Sequence, residues 1–489
     1  MPSPKQDPAE AVRSHPVRVG LISLGCPKNL IDSEVMLGKV AQGREVEVVS
    51  DLADADIVVV NTCAFVEAAK RESIETILEM TELKRRGELK GVVVTGCLAQ
   101  RYPDQLRKDI PELDAIVGVT AEDEVAGMLP GIAHHHDETH GVAVGASAKA
   151  APRKLPMART AGADGTPEGP RVVIRDPSRP FGAEVGRLRL TPRHYSYLRV
   201  AEGCDHACTF CAIPGFRGRF RSKPEDAILR EARELARDGA KEICLIAEDT
   251  NQYGQDRRDG TSLARLLPQL AEVDGVEWLR ILYAYPAYFP DELVKAIASL
   301  DKVVKYLDIP LQHIADPVLK RMNRPGKQKT VDLLNRLRDG IPGLALRTTF
   351  IVGFPGETKE DFQELRDFVE EFKFDRVGAF PFSEEDGTPA GAFTDQVAPK
   401  IRRSRRDRLM KTQQDVAFEK NDRKIGTTVR AIIDEIEGKG RAIARTEHDA
   451  PEIDGTIKVY KKGRDFKPGD MLKVRVTKAN GYDLEGEPA

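Results

Sequence analysis

The sequence predicts an α/β protein built of three successive parts: an N-terminal three-layer domain around a parallel sheet, a central partial (β/α)6 barrel, and a small C-terminal all-β barrel. Three observations predict this order. Residues 17–133 alternate short apolar runs with amphipathic helical patterns, residues 193–420 show six such runs between helices, and residues 421–489 carry short strands and turn signals. The 489 residues are enough for about three domains.

In the N-terminal part, short apolar runs predict strands and longer amphipathic runs predict helices. We expect strands at residues 17–23, 56–60 and 91–95, and helices at residues 33–40 and 65–85. Strands that alternate with helices form a parallel sheet, because each crossover helix returns the chain to the same edge. One cysteine follows the end of each strand: Cys26, Cys63 and Cys97.

These three cysteines are expected to converge, because ligands of open α/β sheets bind beyond the carboxyl ends of the strands. A site with three thiolates follows from that placement. The alternative is three unrelated small buried residues, since free cysteine often serves as a core residue.

Residues 134–192 are expected to form a low-complexity linker or insertion. Within this stretch, residues 145–170 are dominated by Ala, Gly and Pro and contain no Ile, Val or aromatic residue. Such a composition buries too little apolar surface to offset the entropy of ordering. The histidines that precede it, His134-His-His136 and His140, are interpreted as a solvated tract in preference to a metal site.

The central part shows six apolar runs that predict strands, separated by helical patterns. The strands are expected at residues 195–200, 242–247, 277–283, 306–309, 346–352 and 376–380, with helices including 225–237, 291–300 and 359–371. Six such units suggest an open, partial barrel. A cysteine triplet follows the first strand, on the rim where barrels of this kind place their chemistry.

The triplet consists of Cys204, Cys208 and Cys211, in the spacing C-x3-C-x2-C. It supplies three thiolates and no obvious fourth, whereas the iron–sulfur cubanes of electron carriers are usually held by four cysteines. Three ligands would leave one iron open for a reacting molecule, as in catalytic zinc sites. The alternative is a structural zinc site completed by His206 or Cys244, although His206 is too close in sequence and Cys244 lies in an apolar strand pattern.

Composition excludes several classes of protein. The net charge of −3 gives no global signal for binding a polyanion, and no run of 18 apolar residues predicts a membrane span. The N-terminus lacks the apolar segment of a signal peptide. Seven cysteines, an odd number, favour thiolate ligands over disulfides and a cytoplasmic location.

Two charge patterns concern the C-terminal third. Residues 426–486 contain 12 Lys/Arg and 11 Asp/Glu, a net of +1, whereas a module that grips an RNA backbone is more often clearly basic. Residues 400–411 contain seven cations. That stretch is either a solvated helix face or a patch that contacts the ribosome or the substrate.

The surroundings of Cys204 resemble the radical S-adenosylmethionine (SAM) signature, and the whole chain resembles the methylthiotransferase family of radical SAM enzymes. The resemblance implies an N-terminal cluster domain at residues 17–133, a radical SAM core at residues 193–420 and an OB-like TRAM domain at residues 421–489. One branch of the family modifies adenosine in transfer RNA. The other, RimO-type branch modifies an aspartate of the twelfth small-subunit ribosomal protein.

Four features resemble the ribosomal-protein branch. They are Gly25-Cys-Pro-Lys-Asn-Leu-Ile-Asp-Ser-Glu34, Leu282-Tyr-Ala-Tyr-Pro286, Thr349 within Arg347-Thr-Thr-Phe-Ile-Val-Gly-Phe-Pro-Gly-Glu357, and Asp449-Ala-Pro-Glu-Ile-Asp-Gly455. The transfer-RNA enzyme is the second possibility within the family. A non-catalytic iron–sulfur electron carrier, or a metal-binding protein associated with RNA, is the alternative outside it.

By resemblance, two [4Fe–4S] clusters are expected: a SAM-cleaving cluster on Cys204, Cys208 and Cys211, and an auxiliary cluster on Cys26, Cys63 and Cys97. The resemblance implies hydrogen abstraction from the β-carbon of the target aspartate and transfer of a methylthio group to that carbon. An electron donor such as flavodoxin or ferredoxin and a sulfur donor are the expected further partners, with no membrane.

The expected SAM contacts are polar residues at strand ends and two glycines that let the backbone approach the cofactor. These residues are Glu248, Gln312, Arg347, Gly353 and Gly356.

Overall fold

The computed structural model describes residues 15–43, 45–140, 169–180, 182–438, 440–460 and 465–489. These residues fall into two compact units. The first comprises the chain up to Asp176 with Gly186–Leu188, and the second comprises Pro177–Val185 with Arg189–Ala489. Residues 145–168 of the predicted linker lie outside the described ranges.

The first unit contains a six-stranded parallel sheet in the order β2-β1-β3-β4-β5-β6. Its strands are β1 (Val17–Ser23), β2 (Val46–Val48), β3 (Ile57–Thr62), β4 (Gly91–Gly96), β5 (Ala115–Val117) and β6 (Arg171–Val173). Its helices are α1 (Pro27–Ala41), α2 (Glu67–Arg85), α3 (Cys97–Arg101), α4 (Pro103–Asp109) and α5 (Glu122–His140).

Strand β3 shows how the layers form. Its β-branched residues suit a pleated strand, and all six positions are buried because helices cover both faces. Ile57 and Val59 pack in one cluster with Met36 of α1 and Val125 of α5. Since side chains alternate along a strand, the other face is left to α2, which contacts β3 and β4. The predicted three-layer domain is confirmed.

Two elements of the first unit lie in the stretch expected to be a linker. Helix α5 continues through the histidine run, so the boundary expected after residue 133 falls inside a helix. Strand β6 pairs in parallel with β5. The sequence signal for both is weak, because the end of α5 is polar in sequence and β6 has only three residues.

The second unit contains a six-stranded parallel sheet in the order β14-β13-β12-β11-β10-β7, which forms the expected open barrel. Its strands are β7 (Tyr195–Arg199), β10 (Glu242–Ile246), β11 (Trp278–Ile281), β12 (Val303–Asp308), β13 (Ala345–Val352) and β14 (Arg376–Pro381), and a small hairpin pairs β8 (Ala201–Glu202) with β9 (Arg221–Ser222). Its helices are α6 (Ile213–Arg217), α7 (Glu225–Arg237), α8 (Leu263–Ala271), α9 (Asp291–Ser299), α10 (Asp316–Met322), α11 (Lys327–Gly340), α12 (Lys359–Phe372) and α13 (Pro399–Asp422).

The C-terminal part is a closed five-stranded barrel in the order β15-β16-β17-β19-β18. Its strands are β15 (Thr428–Ile436), β16 (Arg441–Thr446), β17 (Ile457–Tyr460), β18 (Met471–Asn480) and β19 (Asp483–Pro488). Short apolar runs at residues 428–433, 441–445, 455–459 and 472–476 predict four of these strands, β15 to β18. The fifth, β19, escapes prediction because its residues are mostly acidic, glycine or proline, which are uncommon in strands.

Residues 447–456, which join β16 to β17 and are called the docking loop here, pack against the central barrel. The Tyr306 hydroxyl donates to Asp454 at 2.6 Å, and the Tyr195 hydroxyl donates to Glu452 at 2.7 Å. Asp449 forms an ion pair with Arg376. The small barrel is therefore joined to the central one by buried polar contacts within the second unit.

A buried ionic cluster lies beside this loop. Glu242 of β10 lies 2.7 Å from Arg280 of the central barrel and 2.7 Å from Arg445 of the small barrel. Glu242 and Arg280 are both 0% exposed, so neither charge has water as an alternative partner. Glu242 is the first residue of its strand, which places this contact at the edge of the sheet opposite the cysteine triplet.

Candidate active site

The cysteine triplet of the second unit lies in one loop beyond the carboxyl end of β7. Cys204 follows β8, and Cys208 and Cys211 precede α6. Burial, reinforced by the charge of neighbouring thiols in the same loop, raises the pKa of the Cys204 and Cys211 thiols to about 12. Because each pKa responds to the other cysteines, the three thiols form one group.

The turn that follows α10 holds this cysteine loop in place. The side chain of Asn323 donates to the carbonyl of Ala207 at 2.9 Å, and the hydroxyl of Thr209 donates to the carbonyl of Arg321 at 2.8 Å. Asn323 has a left-handed backbone (φ 56°), which asparagine tolerates better than most residues. The loop conformation is thus fixed by a segment more than a hundred residues away in sequence.

Three side chains stack beside the triplet. The rings of His206 and Tyr285 lie parallel at 3.6 Å, and the guanidinium of Arg324 lies 4.1 Å above the centre of the Tyr285 ring. Arg324 also donates to the Cys208 sulfur at 3.6 Å, while His206 pairs with Asp249 at 2.6 Å. Sequence reasoning missed Arg324 and Asp249, because their only signal is a position near a helix or strand end.

The two proposed fourth ligands of a zinc site are engaged elsewhere. His206 contacts Asp249 and Tyr285, and Cys244 is 0% exposed within β10. Among the described residues, no three Cys, His, Asp or Glu side chains are grouped closely enough to bind a single metal ion. A cubane attaches each thiolate to a different iron, so a looser group of three thiols fits it better than it fits zinc.

Two predicted SAM contacts lie near the triplet or on its edge of the sheet. Glu248 follows β10, and its carboxylate contributes to the raised pKa of Cys204 and Cys211. Gln312 lies just beyond β12 with φ of 74°, and its backbone bridges to Phe350. Contacts of Glu248 and Gln312 with SAM stay a prediction.

Arg347 does not lie where the sequence placed it. Its guanidinium is 3.0 Å from Asp308 and 3.6 Å from Asp454 of the docking loop. Arg347 is the third residue of β13, so the long strand carries it away from the carboxyl edge and toward the small barrel. In this arrangement Arg347 joins the two barrels, and its contact with SAM stays a prediction.

The two glycines of the Gly353–Gly356 segment also serve packing. A Cβ atom on Gly353 would collide with the side chain of Arg402 in α13, and one on Gly356 would lie 2.7 Å from Asp395. Both have positive φ, which favours glycine. Helix α13 and the loop before it lie close to these two glycines, and contact of the glycine backbone with SAM stays a prediction.

The basic stretch at residues 400–411 forms the first half of α13. Two of its seven cations turn inward: Arg402 is 7% and Arg405 is 8% exposed at the side chain, and they pair with Glu384 and Glu357. These two arginines are therefore part neither of a solvated helix face nor of a patch that contacts the ribosome or the substrate.

The cysteines of the first unit follow three neighbouring strands. Cys26 caps the start of α1 after β1, Cys63 follows β3 directly, and Cys97 is the first residue of α3 after β4. In the sheet order β1, β3 and β4 are adjacent and parallel, so all three cysteines lie at one edge. This is the convergence that the sequence predicts.

Close backbone contacts bring these three loops together. A Cβ atom on Gly25 would lie 2.7 Å from the Cβ of Cys63, and one on Gly96 would collide with the side chain of Asn61. Cys63 and Cys97 are 6% and 5% exposed. Three thiols at one edge of the sheet, with glycine at two positions where another loop approaches closely, fit a bound cluster.

Three family descriptions match parts of the chain. Residues 18–118 match the uncharacterized protein family UPF0004, residues 198–369 match the radical SAM superfamily, and residues 425–488 match the TRAM domain. No helix among the described residues is both long and apolar enough to cross a membrane.

Curated proteins are similar over nearly the whole chain. Proteins described as ribosomal protein uS12 methylthiotransferase RimO, from Desulfitobacterium hafniense, Geobacter sulfurreducens and Geotalea uraniireducens, are 42%, 43% and 44% identical to it. Each alignment covers 96% of this chain and 98% of the relative.

Among solved structures, the radical SAM methyltransferase TsrM from Kitasatospora setae is similar in fold. Its structure with cobalamin and a [4Fe–4S] cluster gives a TM-score of 0.52 at 16% identity, over 77% of each chain. Its structure with tryptophan and a SAM analogue gives a TM-score of 0.53 at 14% identity, over 82% of this chain and 89% of that chain. At such identity the likeness concerns the fold alone.

Proposed function

Because the chain belongs to the family of ribosomal protein uS12 methylthiotransferases, we propose that it adds a methylthio group to the β-carbon of an aspartate of uS12. The observation that carries this proposal is the similarity to uS12 methylthiotransferases over 96% of the chain. The chain is a radical SAM enzyme with matches to three families. Cys26, Cys63 and Cys97 lie within the UPF0004 match, and Cys204, Cys208 and Cys211 lie within the radical SAM match.

The residues that hold the cofactors form the first part of the proposal. Cys204, Cys208 and Cys211 would hold one [4Fe–4S] cluster, and Cys26, Cys63 and Cys97 would hold an auxiliary one. The proposed SAM contacts are Glu248, Gln312, Arg347, Gly353 and Gly356. When bound, these groups supply a deoxyadenosyl radical that takes hydrogen from the aspartate β-carbon and a sulfur that replaces it.

The protein's own residues prepare the site for those groups. The high pKa of Cys204 and Cys211 keeps both thiols protonated near neutral pH, so cluster assembly must release those protons. Asn323 and Thr209 hold the loop that carries the thiols. Less conformational entropy of that loop is therefore lost when a cluster binds. Arg324 places a positive charge 3.6 Å from the Cys208 sulfur, which offsets part of the negative charge that a bound cluster and its ligands would carry.

The remaining partners belong to the same proposal. One-electron reduction of a cluster requires an electron donor such as flavodoxin or ferredoxin, and repeated turnover requires a sulfur donor. The proposed location is the cytoplasm, where thiolates are kept reduced.

The decisive experiment offers both family substrates side by side. Anaerobically reconstituted protein is incubated with SAM, a reductant, uS12 and transfer RNA, and both are examined by mass spectrometry. We expect uS12 to gain roughly 46 mass units at an aspartate, the mass of one methylthio group replacing hydrogen. Methylthiolated adenosine with unmodified uS12 would contradict the substrate assignment.

The Cys63→Ala variant is the matched control for the same assay. It removes a thiolate of the first unit and leaves the triplet at Cys204 intact, so it should still release 5′-deoxyadenosine from SAM. It should form no methylthiolated uS12. Normal product from this variant would contradict the role of the auxiliary cluster.

A further inference from the structure

The side-chain amide of Asn29 contacts all three cysteine-bearing loops of the first unit. Its nitrogen donates to the carbonyl of Leu24 at 3.0 Å, two residues before Cys26, and to the carbonyl of Thr62 at 2.9 Å, one residue before Cys63. Its oxygen accepts from the thiol of Cys97 at 3.4 Å. One buried carboxamide thus touches each loop at or next to the cysteine.

These contacts involve both the amide nitrogen and the amide oxygen of the asparagine side chain. A carboxamide has two N–H donors and one oxygen acceptor, and here both donors and the acceptor point at different loops. Asn29 is 0% exposed, so water does not replace a lost partner. A carboxylate would lack both donors, and an apolar side chain would lack all three contacts.

The backbone of Asn29 is itself fixed by the sheet. Asn61, the last residue but one of β3, donates through its side chain to the carbonyl of Asn29 at 2.8 Å and to the hydroxyl of Ser33 at 2.8 Å. Asn29 also lies in the first turn of α1, directly after Cys26. The carboxamide is therefore held by a helix and a strand while it reaches the loops.

Beyond their last residues, parallel strands have no ladder hydrogen bonds to hold neighbouring loops in register. The three cysteines lie in that region, because each follows the end of its strand. A side chain that bridges the loops supplies what the sheet no longer provides. Groups that orient metal ligands in this way typically change metal affinity or activity by about 10–100-fold when they are removed.

We propose that Asn29 is a positioning residue for the auxiliary cluster: it sets the spacing of Cys26, Cys63 and Cys97 without binding iron itself. This inference rests on the proposed assignment of those three cysteines as cluster ligands. Before iron binds, the oxygen of Asn29 orients the protonated Cys97 side chain; this hydrogen bond ends when Cys97 gives up its proton to bind iron. The nitrogen of Asn29 ties the loops of Cys26 and Cys63 to each other in both states.

The test uses the full chain with Cys204, Cys208 and Cys211 all changed to Ala, so that the first unit holds the only cluster. This background should bind about four irons per chain after anaerobic reconstitution. Adding Asn29→Ala should lower the bound iron at limiting iron by about 10-fold or more and alter the EPR spectrum of the reduced cluster. Asn29→Asp, which keeps the volume but has no N–H donors, should show the same loss.

Asn421→Ala is the matched control. Asn421 is also 0% exposed, and its amide also donates to two carbonyls, those of Gly481 and Tyr482, at 2.9 and 3.1 Å. It lies in the last turn of α13 in the second unit, where its side chain contacts the small barrel. In the same background this variant should keep the iron content and the EPR spectrum of the parent.

The outcomes separate this inference from the proposed function. If the background without Asn29 substitutions binds no iron, the assignment of an auxiliary cluster to Cys26, Cys63 and Cys97 is wrong. If it binds four irons and both Asn29 variants keep the same iron affinity and EPR spectrum, Asn29 does not position the ligands. If both variants lose the folded first unit, as judged by circular dichroism against Asn421→Ala, the role of Asn29 is in folding and the inference is overturned.

A second measurement needs no cluster. In iron-free protein, loss of the Asn29 contact should raise the rate at which Cys97 reacts with iodoacetamide, while Cys244 in β10 stays unreactive in parent and variant alike. Equal Cys97 rates in the parent and in Asn29→Ala would also overturn the inference.

Discussion

Arg324 is the charged side chain that touches the cysteine triplet most directly. It donates to the Cys208 sulfur and lies over Tyr285, whose other neighbour is His206. Hydrogen bonds to cluster sulfurs are one of the means by which a protein sets a reduction potential. A cation also stabilises the reduced cluster, because reduction adds negative charge.

Replacing Arg324 with Met should therefore make the reduction potential of the bound cluster more negative. A charge-assisted hydrogen bond of about 1.4 kcal/mol corresponds to a shift of about 60 mV for one electron. The measurement is an EPR-monitored redox titration of the variant that lacks Cys26, Cys63 and Cys97. Arg321→Met is the control, since Arg321 pairs with Asp395 at 2.6 Å; equal shifts in both variants would refute the specific contact.

At this scale the sequence predicts thiols better than it predicts their surroundings. The spacing of Cys204, Cys208 and Cys211 and the strand-end positions of the other three cysteines are sufficient to group them. The sequence indicates that Gly353 permits close approach and that Arg347 is a charged residue near a strand end, but it does not indicate which elements pack against them. In this protein the approaching elements are α13 and the docking loop.

The docking loop is the element whose charges depend most on their partners. Burial disfavours the charged form of Asp449, but the nearby Arg376 and Lys424 outweigh burial and lower the pKa of Asp449 to about 2. A carboxyl whose pKa is lower in the folded state stabilises the protein above its ordinary pKa. That stabilisation is lost as pH falls from about 4 through about 2.

Asp449→Asn should accordingly destabilise the protein at neutral pH by about 2 kcal/mol, and the difference from the parent should shrink toward pH 2. Urea unfolding at several pH values, followed by the fluorescence of Trp278, measures this difference. Trp278 is the only tryptophan and is 1% exposed in β11 of the central barrel. A difference that does not change with pH would refute the ion pair as its cause.

Element prediction succeeded where apolar periodicity is strong. All six strands of the central barrel and α7 occur where expected, because their buried positions repeat clearly. Helix α5 and the strands β2, β5, β6 and β19 were not predicted, because polar residues or short lengths weaken the pattern. Within residues 449–455, the side chains of Asp449, Glu452 and Asp454 contact the central barrel.

For the whole molecule, composition and alternation of elements are enough to predict three successive parts of the right classes. They do not predict that the chain leaves the first unit after Asp176, returns to it at Gly186–Leu188 and leaves again. That path depends on single contacts within each unit. Glu34 pairs with Arg187 at 3.5 Å in the first unit, and Glu184 pairs with Lys223 at 2.7 Å in the second.

The buried ionic cluster beside the docking loop also has a consequence for the order in which the chain folds during translation. The central barrel is synthesised first, yet Glu242 and Arg280 at its amino edge reach their final ionic environment only with Arg445. Domains usually fold as they leave the ribosome. Here nascent chains arrested before residue 428 should leave residues 195–381 sensitive to protease, and release of the small barrel should protect them. Protection of residues 195–381 in chains arrested before residue 428 would show that the central barrel folds fully without the small barrel. Sensitivity in those chains, followed by protection in the full chain, would show that the C-terminal barrel completes the packing of β10 and β11.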